Sequence, residues 1–121
     1  MIEERAPGRP PLVTDVGVRL PAQLTASGRA MLAQLPAAQV RALFPDPASF
    51  VLRTALGPRS PSALRALLVD VRRRGHALED GEVTAGFASI ASPVLDHSGH
   101  PVAGVAVTFP AVAVPAGGRD R

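Results

Sequence analysis

Residues 75–110 read GHALEDGEVTAGFASIASPVLDHSGHPVAGVAVTFP, and the fold turns on how this stretch is parsed. Two apolar runs, 83–95 and 102–109, answer each other across the polar segment 96–100, where Ser98 and Gly99 supply turn chemistry, so the spacing predicts an antiparallel hairpin. Pro93 has no N–H to give to a strand ladder, which places its part of the first strand at an edge or a bulge. The segment ahead of the hairpin carries Glu79, Asp80 and Glu82 and reads as an acidic loop feeding the two strands. Ser89, Ser92 and Thr108 interrupt the apolar runs. Small polar side chains on strands leave room for something other than neighbouring side chains, and the pattern predicts a ligand pocket built on a sheet.

Upstream lies the clearest helix signal. Ser60 is a natural N-cap, Pro61 suits the first helical position, and Leu64, Leu67, Leu68 and Val71 form one apolar stripe. Arg72, Arg73 and Arg74 complement the negative end of the helix dipole, a reading preferred to a phosphate-binding patch, and Gly75 suits a left-handed C-cap. Residues 50–55, between the Pro45-Asp46-Pro47 break and the Gly57-Pro58 turn, alternate like a short strand. Residues 37–44 repeat Val40, Leu43 and Phe44 at helical spacing. Before Pro36, Thr25 or Ser27 caps a helix running to about Leu35, with Ala30, Met31, Leu32 and Leu35 apolar. Residues 12–20 extend as a strand, and residues 115–121 offer nothing to bury and are expected to be a disordered tail to a domain spanning 1–114.

Composition sets the outer bounds. A chain of 121 residues fits one small domain. All 13 basic residues are arginine, the net charge is only +3, and the arginines are scattered, so no basic stripe marks a nucleic-acid footprint. With no cysteine, disulfides, thiolate chemistry and the commonest structural zinc ligands are excluded. No apolar run approaches the length of a membrane span, and Glu3 and Glu4 stand where a secretion signal is basic, which predicts a cytoplasmic chain that does not engage a membrane.

Two blocks in order and spacing carry a resemblance. Residues 20–36, LPAQLTASGRAMLAQLP, and the 75–110 stretch together resemble the C-terminal effector-binding domain of the IclR family of bacterial transcription regulators, over roughly residues 2–111. The resemblance implies an α+β, GAF-like antiparallel sheet with helices packed against one side, and a sensor that binds a small organic or aromatic acid to control transcription of a metabolic operon. Carried over by position, the ligand would meet Thr25 and Ala26 at the helix opening, Glu79 in the acidic turn, Ser89 on the first hairpin strand, and Ala106 and Thr108 on the second. Backbone N–H groups at the helix opening would receive the acid and the two hydroxyls would orient it. Glu79 stands where the family usually has aspartate, His76 where it has tyrosine, and Gln23 where it has histidine. The family's winged helix-turn-helix has no counterpart in the pattern of these residues, so no direct DNA contact is expected from this chain, which reads as a partial domain.

Catalysis and metals are the weaker readings. His97 and His100 flank a turn beside Asp96, where polar residues collect anyway, and a metal site needs three or four convergent ligands, so no metal or other cofactor is expected. Glu79, Asp80 and Glu82 have no nucleophile paired with a base and no phosphate-cradling loop beside them, so the chain is not read as an enzyme. A second function stays open: an interaction protein that forms a homo-oligomer, or a mixed dimer with a full-length regulator, without binding ligand.

Overall fold

The computed structural model describes residues 20–111. Within them the order is α1 (Ala26–Leu32), α2 (Ala37–Leu43), a 3-10 turn (Pro47–Ser49), α3 (Pro61–Arg74), β1 (Ala77–Asp80), β2 (Phe87–Leu95) and β3 (Pro101–Pro110). The strands form one antiparallel sheet in the order β1-β2-β3. Helix α1 lies across all three strands, and α3 packs against α1 and β1. This is an α+β architecture, and the expected strand at 12–20 and tail at 115–121 fall outside the described residues.

The helices form where local chemistry directs them. Thr25 holds extended backbone and its hydroxyl accepts from the N–H of Gly28 at 2.9 Å, closing the first turn of α1. Gly28 is required there, since a Cβ would come within 2.2 Å of the Ala22 carbonyl oxygen. The helix ends at Leu32, short of Leu35, because residues 33–35 tighten into bonds from Gln34 to Met31 and from Leu35 to Leu32 ahead of Pro36, which disfavours helical backbone in the residue before it. In α3, Ser60 Oγ accepts from Ala63 N–H at 3.2 Å, Pro61 occupies the first turn, and Gly75 closes the C-terminus at φ 84°.

Three expectations change. Residues 50–55 form no strand: Ala55 takes φ 67° and Gly57 φ 127°, and the segment is tied down by side chains instead of a ladder. Gln23 Nε2 donates to the Val51 carbonyl at 2.9 Å, Arg53 Nε to that of Val83 at 2.9 Å, and Thr54 Oγ1 to that of Gly81 at 2.6 Å. The acidic loop begins as a strand, β1, whose Ala77 and Glu79 point inward while Asp80 points out. The first hairpin strand starts at Phe87, not Val83, because 81–86 make a tight loop closed by Gly81 N–H on the Phe87 carbonyl.

The core lies between the inner sheet face and the helices. Ala77 and Ala91 meet Ala26 and Ala30 of α1, and Leu64, Leu68 and Val71 of α3 join Leu32, Val40 and Phe50. The small alanines let α1 sit close to the sheet, and Gly104 takes this to its limit: a Cβ there would lie 2.9 Å from Ser27 Cβ. Pro93 behaves as its chemistry demands. β1 pairs only Ala88 to Ala91 of β2, so among the described residues Pro93 has a strand neighbour on the β3 side alone, and the register slips just beyond it between Val94 and Leu95.

Candidate functional site

Strand register brings three of the residues carried over by resemblance into a single row. Glu79 of β1 pairs with Ser89 of β2, which pairs with Thr108 of β3. Side chains opposite one another across antiparallel strands share a face, and here it is the inner face. Ser89 Oγ and Thr108 Oγ1 are 2.8 Å apart, and the Ser89 hydroxyl also stabilises the Glu79 carboxylate. Either hydroxyl can be the donor of the Ser89–Thr108 pair.

Glu79 is 5% exposed, and its Oε2 accepts from the backbone N–H groups of Glu82 at 2.9 Å and Val83 at 3.2 Å. Burial pushes its carboxyl above the usual 4.5, with the neighbouring Glu82 charge adding to the rise and the two backbone donors opposing it. Ala106 belongs to the adjacent row, Ala77-Ala91-Ala106, on the same face. It stays exposed where Gly104 on one side is covered by Ser27 and Thr108 on the other is half-buried, so among the described residues the inner face opens at β3 beside the polar row. Ala26 is buried in the core cluster with Ala77 and Ala91. Thr25 is turned to its own helix, its hydroxyl accepting from the Gly28 N–H as a cap.

Sequence reasoning passed over Arg29 in this region, and gave Gln23 and Ser27 no part in the sheet-face site. Arg29 of α1 is 2% exposed and clamps Glu82 through two nitrogens, Nη2 to Oε1 at 2.5 Å and Nη1 to Oε2 at 3.1 Å. The same guanidinium donates to the Gln23 carbonyl at 2.8 Å and the Leu78 carbonyl at 2.9 Å, so one side chain ties α1, the approach to α1, β1 and the loop after it. Its sequence signal was faint, because an arginine in a helix reads as a solvated face. Gln23, at 2% exposure, is spent on Val51. Ser27 Oγ is buried with no hydrogen-bond partner among the described residues, beside Gly104. Thr25 won the capping role, which left Ser27 in the first turn with its hydroxyl against the sheet.

The acidic cluster is largely committed to structure, Glu79 to backbone donors and Glu82 to Arg29. Asp96 caps the hairpin turn, Oδ1 accepting from the N–H groups of Ser98 and His100, both at 2.9 Å. Those two bonds, His100's first, hold its carboxyl below the usual 3.8. Among the described residues no three acidic or histidine side chains converge as metal ligands.

Comparison with known proteins bears on this arrangement. Residues 3–120 match the family model described as "Bacterial transcriptional regulator IclR C-terminal". The chain is 34% identical over 96 residues to the glycerol operon regulatory protein of Streptomyces coelicolor, covering 79% of this chain and 37% of that protein. It is 36% identical over 94 residues to the Pca regulon regulatory protein of Pseudomonas putida, covering 78% and 32%. It thus spans about a third of the length of these relatives. Among solved structures, the Agobacterium tumefaciens repressor BlcR superposes with TM-score 0.78 at 29% identity over 84% of this chain and 41% of that one. The Thermotoga maritima IclR superposes with TM-score 0.81 at 25% identity over 97% and 47%. Sequence and fold agree, and the chain belongs to the IclR family of bacterial transcriptional regulators, matching their C-terminal domain.

Proposed function

We propose that this chain is the effector-sensing region of a cytoplasmic transcription regulator, taking a small organic or aromatic acid at the inner sheet face to control transcription of a metabolic operon. The observation that carries the reading is the polar row Glu79-Ser89-Thr108, set beside an opening at Ala106 on a face otherwise closed by α1. A buried hydroxyl row inside an apolar sheet is costly unless its groups are satisfied, and with Ser89 donating to Thr108 the Thr108 proton is free for a ligand carboxylate oxygen. Ser27, whose hydroxyl lacks a partner among the described residues, offers a second polar point on the opposite wall. Thr25 and Ala26 serve as the frame that fixes where that wall stands. The relatives named for glycerol and Pca regulation support control of small-molecule metabolism as the setting.

Thermal unfolding with a panel of small carboxylic and aromatic acids tests this. One class of acid should raise stability by roughly 2.7 kcal/mol at a hundredfold over Kd, and Ser89→Ala with Thr108→Val should remove the shift. No acid shifting the transition, or a shift untouched by that pair of substitutions, overturns the sheet-face reading.

A second reading has its own observation. Val102, Val105 and Val107 of β3 are 56%, 62% and 65% exposed, and among the described residues β3 has a strand neighbour on one side only. Apolar exposure on an outer strand suits association. The chain then works as an interaction module, as a homo-oligomer or in a mixed dimer with a full-length regulator. Co-elution with such a relative in the absence of any acid favours it.

A further inference from the structure

A groove of about 220 Å³ runs between α2 and α3, away from the polar row. Val40 of α2, Phe44 at its C-cap, and Leu64 and Leu68 of α3 line it, the last two buried within the core stripe. Phe44 is braced from behind by Phe50, ring centroids 5.4 Å apart at 34°. Arg41, Arg65 and Arg72 also line it, and among the described residues no acidic side chain does. Arg72 is partly spent, its Nε donating to the Ala33 carbonyl at 2.6 Å, which fixes the guanidinium over the groove's edge. Arg41 and Arg65 make no ion pair with any described residue.

We propose that this groove is a second binding site, for a small carboxylate with an apolar body. An apolar floor takes a hydrocarbon or ring, and guanidinium groups accept a carboxylate in paired hydrogen bonds. The volume lies below the roughly 300–1,000 Å³ of typical ligand pockets, which selects a small molecule over a peptide. The absence of lining acids selects an anion over a cation or a neutral body. The inference does not depend on the sheet-face reading, because α2 and the outward side of α3 contribute nothing to the polar row.

Amide NMR of the whole chain, titrated with benzoate and in parallel with benzamide, tests it. Benzoate should shift saturably the amides of residues 37–44 and 61–72, and benzamide should not at equal concentration. Arg41→Ala with Arg65→Ala, both at exposed positions, should weaken that binding by about tenfold or more, the loss of one charge-assisted pair. Ser89→Ala with Thr108→Val should leave it unchanged. Shifts confined to residues 79–91 and 104–109 overturn this proposal while supporting the sheet-face site. Equal response to benzoate and benzamide, or no saturable shift in 37–44 and 61–72, also overturns it. Loss of the groove shifts with the sheet persisting in the arginine variant sustains both readings separately.

Discussion

Arg29 shows how much a single side chain holds in this molecule. Its four hydrogen bonds reach Gln23, Leu78 and Glu82, groups brought together only by folding. Paired and fully bonded, such a charge is tolerated inside; with Arg29 removed, the largely buried Glu82 carboxylate keeps only a long 3.5 Å contact from the Asp80 N–H. Arg29→Met should therefore cost about 3–5 kcal/mol in a denaturant titration, far beyond the loss of one surface pair. Arg29→Lys keeps the charge but not the fork, and should recover only part of that. By contrast the Arg73–Asp70 pair joins two exposed side chains one turn apart, and its removal should be nearly silent. Neither residue's importance was legible in the chain. Arg29 and Glu82 are 53 positions apart, and nothing in either neighbourhood distinguishes a buried charge from a solvated one.

At the scale of elements, the helices were legible and the strands less so. α3 was readable from end to end because every signal along it is local: a hydroxyl cap, a proline in the first turn, an apolar stripe and a glycine at φ 84°. β1 was not, since Glu79 occupies an inward position where alternation expects an apolar residue, and the acid is made tolerable by backbone donors three and four residues on. The segment at 50–55 failed for the opposite reason. Its alternation is genuine, but Gln23 claims the Val51 carbonyl while Arg53 and Thr54 donate outward to the Val83 and Gly81 carbonyls, which no local pattern announces. The hairpin succeeded through its turn and register, and register is what gathers Glu79, Ser89 and Thr108. Whether an α1 hydroxyl faces the sheet depends on how closely helix and strand approach, and Gly104 sets that distance. Gly104→Ala should push Ser27 back and lower stability by roughly 1–3 kcal/mol, read from the shift in thermal midpoint. Gly28→Ala should cost more, because its Cβ would meet the Ala22 carbonyl oxygen at 2.2 Å, against 2.9 Å to the nearest atom at Gly104.

For the whole molecule, the buried Glu79 makes stability depend on pH in a direction opposite to the usual carboxylate. Its folded-state pKa lies above the ordinary 4.5, so the native state holds the proton more tightly than the unfolded chain does. The stabilisation from this group is fully present below 4.5 and is lost as pH rises through the raised value. Glu79→Gln should flatten the decline in stability on the alkaline side of 4.5, measured by unfolding at a series of pH values; an unchanged slope would mean the carboxyl is not the source. Asp96 works in the reverse sense and lower down, its contribution being lost only as pH falls below 3.8, so the two are separable in one profile. The acidic character of 79–82 was plain in the sequence. That it divides into a buried acid and half of an ion pair depends on the third dimension.

The strands of the sheet differ in length, and this grades its cohesion. β1 has four residues where β2 has nine and β3 ten, so among the described residues the hairpin overhangs its support as a two-stranded ribbon running through the register slip at Val94 and Leu95 to the turn. A free ribbon twists more than a backed sheet and opens at lower free energy. The tip therefore unzips readily while residues 88–91, hemmed between neighbours, open only with the domain as a whole. The polar row sits in that last-opening quarter: its hydroxyls are held in register by the least fluctuating part of the sheet, and thermal breathing is spent at the far end of the same two strands.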